Sequence, residues 1–261
     1  EMFASTIISD ETQIISNDGI GADLRGVNLI ALDSTVSSSR TLGENIPSGH
    51  GIYLEDVEVG MLRNMTVENN AGIGMLAHRP GRPDHARVFV IRDSRVRDNG
   101  SAGLWLQSDQ DPSNPSQPIV FVDNSEVENN KLVGLYAGRV SVDVASSLLE
   151  STNSDTLQTS SGTTVTAGDA FQFVETESAI FLDNDVEYNN RYGGFVSDLR
   201  VMIWDNRRVQ WVGNNIADFV QSRNSRGRFM RPSGAGAPQP QPVGDHTVPA
   251  DRLWFAPPAS Y

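Results

Sequence analysis

A nine-residue phrase recurs along this chain, and nothing else in it restricts the fold so strongly. Leu62-Arg-Asn-Met-Thr-Val-Glu-Asn-Asn70 returns as Ile91-Arg-Asp-Ser-Arg-Val-Arg-Asp-Asn99 and as Val122-Asp-Asn-Ser-Glu-Val-Glu-Asn-Asn130, each followed closely by a glycine and a short apolar run. Fainter copies close at Thr152 and, with a one-residue slip, at Asn190. Between closing residues 70, 99, 130, 152 and 190 the intervals are 29, 31, 22 and 38, so the shortest unit is 22 residues and the longer ones carry insertions. Self-similarity on this scale means one supersecondary unit stacked many times.

The local period decides which unit. The repeated segments alternate apolar and polar residues over three to five positions and are separated by Asn, Asp, Ser and Gly, with no sustained helical stripe. Three short strands per turn of chain, each paired with its counterpart one turn away at about 4.8 Å, make an all-β parallel β-helix of about seven coils. Asn suits its corners because it tolerates left-handed backbone, and its amide can pair with the Asn of the next coil.

Composition narrows the rest. The 261 residues contain no cysteine, so disulfide staples and thiolate metal sites are excluded. No run of about 18 apolar residues reads as a membrane span. The chain opens Glu1-Met2-Phe3 and enters a strand-like Ser5-Thr-Ile-Ile8 almost at once, which reads as a processed or partial chain. A net charge of −13, with Lys131 the single lysine, disfavours nucleic acid and anionic lipid as partners.

The repeats divide the chain into a β-helix over 1–221 and a Pro/Gly-rich tail over 222–261. Segments such as Pro-Gln-Pro-Gln-Pro favour extended polyproline II and gain order only by resting on another surface. Leu253, Trp254 and Phe255 are the expected anchors, against the β-helix or a neighbouring subunit.

Insertions cluster beside one strand of the repeat. Residues 77–87 and 107–118 leave just after the glycine-led strand, while 153–167 and the stretch around 40–48 enter just before it, so loops flank one sheet on both sides and outline a groove. If Ile52, Leu54, Leu104 and Leu106 point inward, alternation turns Tyr53, Trp105 and Tyr136 outward, with Gln172 on a later coil. Leu76 or Gly74 falls between the first two, and Phe195 or Val196 ends the row. The expectation is an exposed aromatic floor on which sugar rings or another chain lie, with His78, Arg79 and Arg82 of the adjoining loop as further ligand contacts.

With the Gly-Ile/Leu-x-Leu strand and the Val-x-x-Asn corner in view, residues 5–220 resemble the pectate-lyase-like superfamily of right-handed parallel β-helices, especially its unassigned bacterial repeat proteins. That resemblance implies a carbohydrate-facing groove, an extracellular or cell-envelope setting, and activities such as lyase, hydrolase or epimerase on uronate polymers. Ser48-Gly49-His50-Gly51-Ile52 looks like the Gly-His-Gly motif of polygalacturonases, where the histidine supports paired aspartates. Hydrolysis needs two carboxylates across the scissile bond. Here the preceding coil offers Asn17-Asp18-Gly19 and Asp23, and His78 and Arg79 stand where that family has an Arg-Ile-Lys segment, so Asp18, His50 and Arg79 are the catalytic candidates. Elimination on uronates would instead use an arginine base and often Ca²⁺, for which Asp109 and Asp111 are the candidate ligands.

Two readings follow. The first is a non-catalytic extracellular β-helix module with no cofactor, of structural, adhesive or assembly role, whose groove binds polysaccharide or a protein segment and whose open ends invite self-assembly. The second is an enzyme acting on uronate-containing polymers. The sequence favours the first, because it does not supply a complete acid/base pair.

Overall fold

The computed structural model describes residues 5–42, 48–81, 89–109, 117–150, 152, 156–158, 164–166, 168–190, 192–199, 201–205, 211–212, 217–221, 228–230 and 241–242. Apart from one inserted pair, the described strands up to Arg228–Met230 visit three parallel sheets in rotation, beginning with Thr6–Asp10, Gln13–Ile15 and Ala22–Arg25, and continuing with Asn28–Leu32, Thr35–Ser37 and Ile52–Glu55. Among the described residues the sheets hold nine, eight and nine strands, each strand bonded to its equivalents one turn earlier and later. This is the expected β-helix solenoid. An antiparallel pair, Thr156–Gln158 with Thr164–Thr166, is built from the insertion before the strand Asp169–Val174. Past the expected boundary at 221, Arg228–Met230 and Gln241–Pro242 still pair parallel with the first and third sheets.

Alternation builds the interior. Leu62, Ile91, Val122 and Val144 stack in the first sheet, Val67, Val96, Val127 and Leu149 in the second, and Leu54, Ala77, Leu106 and Ala137 in the third. All are buried in one continuous core. Each buried aliphatic side chain contributes about 1.5–3 kcal/mol, which supplies the stability of a fold whose contacts reach only neighbouring coils.

The repeated phrase divides its polar residues between two tasks. Asn64, Asp93 and Asn124 take left-handed backbone (φ 52, 51 and 46°) at the first corner, and Asn69, Asp98 and Asn129 do so at the second (φ 57, 55 and 56°). The next residue turns in. Buried Asn99 accepts from the backbone N–H and side-chain Nδ2 of Asn70 (3.2 and 3.0 Å), and its own Nδ2 donates to Asn130 Oδ1 at 2.9 Å. Thr152 continues the column by donating its N–H to Asn189 Oδ1. The ladder residue of this coil is thus Asn189 and not Asn190, a 37-residue step, because Tyr188 takes the left-handed position and Val186 keeps the register.

A parallel serine column went unread in the sequence. The N–H groups of Met65, Ser94 and Ser125 donate to the hydroxyls of Ser94, Ser125 and Ser147 at 3.1, 3.2 and 3.1 Å. Both columns satisfy main-chain donors that a corner would otherwise leave buried and unpaired.

Candidate functional site

The site lies where three neighbouring strands of the third sheet end. Ile52–Glu55, Met75–His78 and Ala102–Gln107 pair in register, so Glu55, His78 and Gln107 form one row, with Arg25 paired to Glu55 on the coil before. The residues just past Glu55 and His78 take left-handed backbone, Asp56 at φ 54° and Arg79 at 53°. That corner swings their side chains back over the row.

Arg79 is the hub. Its Nη2 donates to Glu55 Oε1 (2.9 Å) and Asp56 Oδ2 (2.8 Å), its Nε lies 2.7 Å from Asp56 Oδ1, and its Nη1 lies 3.3 Å from Asp109 Oδ2. Arg25 is held bidentately by Asp23 at 2.9 and 3.0 Å and reaches Glu55 Oε2 at 3.4 Å. The buried His78 ring bridges Asp109 Oδ1 through Nε2 at 3.3 Å, with Nδ1 3.6 Å from Glu55 Oε1. Four carboxylates thus surround two guanidinium groups and an imidazole, and neighbouring acids raise the pKa of both arginines against the desolvation that opposes it. Charge-assisted pairs of this kind are the stronger hydrogen bonds. Half-exposed as they are, each contributes at most about 1 kcal/mol to stability.

The aromatic row lies beside this cluster, and here the structure corrects the sequence expectation. The register runs Tyr53, Leu76, Trp105, Tyr136, Gln172, Phe195, which settles both one-residue ambiguities. The side chains leave the tube, as alternation requires, and are not exposed: Tyr53, Trp105 and Tyr136 retain at most 1% of their surface and Gln172 2%. They form a second apolar cluster with Ile73, Leu76, Ala102 and Val133. Trp105 stacks on Tyr136 with ring centroids 3.8 Å apart, and Gln172 donates to buried Asp169 at 2.7 Å. Alternation settles which side of a sheet a residue takes, and leaves open whether that side is wet. An uncovered row of large aromatics would forfeit about 25 cal/mol per Å² of apolar surface. Burial and the nearby Glu55 charge push the Tyr53 phenol up to about 12, so it stays protonated.

His50 is also engaged structurally. Its Nδ1 accepts the Ile73 N–H at 3.0 Å, which fixes the proton on Nε2, and burial alone pushes its pKa down to about 4. No carboxylate contributes to that shift, so the likeness to a Gly-His-Gly acid/base support ends at the three letters. Asp18 is exposed on the first coil, its backbone bridged to Arg40. A buried neutral histidine whose folded pKa lies below its unfolded value of about 6.5 gives stability that is complete above pH 6.5 and lost as pH falls toward 4. Between pH 7 and 5 the protein is expected to lose about 2 kcal/mol of unfolding free energy through this residue. Urea titrations at the two pH values, with His50→Gln as the insensitive control, check this.

Residues 3–149 match the family model described as a right handed beta helix region. The chain belongs to that family. Among solved structures, this right-handed β-helix is similar to the A-module of Azotobacter vinelandii mannuronan C-5 epimerase AlgE4, at 12% identity and a TM-score of 0.38, over 86% of this chain and 63% of that one. The AlgE6 A-module of the same organism gives 12% identity and a TM-score of 0.30, over 94% and 78%. No curated protein matches the chain.

Of the residues singled out in the sequence, the β-helix brings together His78, Arg79 and Asp109 and places Tyr53 beside Arg25 and Glu55 of the same cluster. Arg82, Asp111, Leu253, Trp254 and Phe255 lie outside the described residues. Among those described, no group of three His, Asp or Glu side chains is placed to hold a metal ion. Sequence reasoning named Asp23 only as a carboxylate on the coil before His50, and missed Arg25, Glu55, Asp56 and Gln107. The signal for three of them was the column: Arg25, Glu55 and Gln107 share one position after the glycine-led strand with His78, and none stands out when the chain is read lengthwise.

Proposed function

We propose that this β-helix is a non-catalytic carbohydrate-binding module of the cell surface or envelope, and that its ligand is a neutral polysaccharide lying along the solenoid axis over the Arg25–Glu55–Arg79–Asp109 row. The observation that carries the reading is the ion-pair network itself. It offers partly exposed donors and acceptors on four consecutive coils, spaced about 4.8 Å apart, suited to successive sugar hydroxyls. Its four carboxylates against two arginines, on a chain of net charge −13, disfavour a polyanionic ligand. Its acid and base groups hold one another, and the Tyr53 phenol and His50 imidazole are poor proton carriers near neutral pH.

One observation favours the competing reading, a lyase, hydrolase or epimerase on uronate-containing polymers: Tyr53, His78 and Arg79 converge on Glu55, and His78 and Arg79 also reach Asp109. A panel of neutral and uronate polysaccharides, followed by calorimetry and by assays for unsaturated products and new reducing ends, separates the two. Neutral polymers are expected to bind without turnover, with affinity reduced about tenfold or more in Arg79→Ala, which frees three carboxylates. Product formation from any uronate polymer would establish the enzyme and end the binding reading.

A further inference from the structure

The outer faces of the three sheets are unlike. The third carries the buried aromatic cluster, and the second carries charged ladders such as Glu68–Arg97–Glu128. The first presents an apolar column in which Ile30, Met61, Val90 and Phe121 are in register on four successive coils, interrupted by Asp143 and resumed by Ile180. These side chains alternate with buried ones and face out; Met61 is 46% exposed, and Ile119 at the margin 48%. Beside the column runs a second one, Leu32, Arg63, Arg92, Asp123, Ala145 and Leu182. A regular apolar stripe over this many coils is an interaction surface.

The charges on that face choose the partner. Asp143 has no ion-pair partner among the described residues, and burial with Asp123 nearby raises its pKa. Arg63, on the other side of the column's midpoint, keeps 63% of its side-chain surface. A two-fold axis along the strands, between the coils of Val90 and Phe121, preserves position along the strand and reverses coil order. It sets Val90 against Phe121 of a second copy, Ile30 against Ile180 and Leu32 against Leu182. The same operation sets the Arg92–Asp123 ion pair of one copy against that of the other with the charges crossed, and sets Met61 opposite Asp143, with Arg63 two residues along the same strand within reach of that carboxylate. We propose that the outer face of the first sheet pairs with a second copy of this chain in this antiparallel, isologous arrangement, the two sheets about 10 Å apart. The opposite, coil-to-coil parallel pairing would set Asp143 against Asp143 and bury two like charges together.

Sedimentation velocity and disulfide trapping test this. The natural chain has no cysteine, so introduced pairs report alone. Wild type is expected as a dimer at micromolar concentration, and Phe121→Asp is expected to weaken it at least 100-fold with an unchanged circular dichroism spectrum. Arg63→Asp and Asp143→Arg should each weaken it about tenfold, and the double exchange should restore it. The double variant Met61→Cys with Asp143→Cys is expected to form intermolecular disulfides, and Met61→Cys alone is not. A monomer at all concentrations overturns the proposal. So does trapping through Met61→Cys alone, which would mean parallel pairing, and so does a dimer untouched by Phe121→Asp, which would mean another surface.

Discussion

Asn99→Ala is expected to lower the free energy of unfolding by about 3 kcal/mol, a large fraction of the margin on which a domain of this size stands. The side chain is 1% exposed and sits mid-column. Its Oδ1 is the acceptor for two donors of Asn70, and its Nδ2 serves Asn130 Oδ1 and the Val67 carbonyl at 3.3 Å. Alanine leaves both Asn70 donors buried without that acceptor, at about 1–3 kcal/mol each. The adjacent asparagine of the phrase behaves differently. Asn69 is needed for its φ of 57°, which glycine adopts freely, so Asn69→Gly is expected to stay within about 0.5 kcal/mol of wild type. Urea denaturation followed by far-ultraviolet circular dichroism measures both. If the two neighbours cost the same, the division of labour along the phrase is wrong.

That contrast shows how far the sequence could be read. The phrase revealed a solenoid because every coil poses the same local problem, a strand, a left-handed corner and an inward polar residue, and solves it with the same residue types. Serine did the equivalent work at Ser94, Ser125 and Ser147, and escaped notice because hydroxyl and loop-forming roles look alike in a single chain. The aromatic row was legible in direction and misread in exposure, since period-2 alternation carries no information about what lies over the outer face. The charged cluster was half legible. His78 and Arg79 drew attention as a basic island, whereas Glu55 and Asp56, one coil earlier and 24 and 23 residues back from Arg79, carry no local signal. Only the register of parallel strands brings such residues together, and register is the quantity a repeat with variable insertions hides best.

The glycine of the Gly-Ile/Leu-x-Leu strand makes the same point in reverse, because its sequence prominence has a purely steric cause. A Cβ on Gly103 would meet Asn130 Nδ2 at 2.6 Å, the Gly134 carbonyl oxygen at 2.7 Å and Val127 Cγ1 at 2.8 Å. Gly51 and Gly74 stand in equivalent crowding, each against the carbonyl of the next glycine up the stack. Two of the three obstacles at Gly103 cannot swing aside: the carbonyl belongs to main chain held in the third sheet, and the Asn130 amide is fixed by its own bonds to Asn99 and to the Val96 carbonyl. Gly103→Ala is therefore expected to cost about 2–3 kcal/mol, the upper part of the range for overpacking, even though alanine restricts the unfolded chain and recovers a few tenths of that. Gly26 is the counterpart, with φ +61° and nothing within 4 Å of its Cβ position, so Gly26→Ala meets only backbone strain of about 1 kcal/mol. The same pair separates by hydrogen exchange. Crowding at Gly103 should accelerate exchange at the amides of Gly134 and its strand neighbours on the coil above, whereas Gly26→Ala should leave those amides as they are. Equal exchange in the two variants would show that the glycine column is tolerated packing rather than a condition of closing each coil.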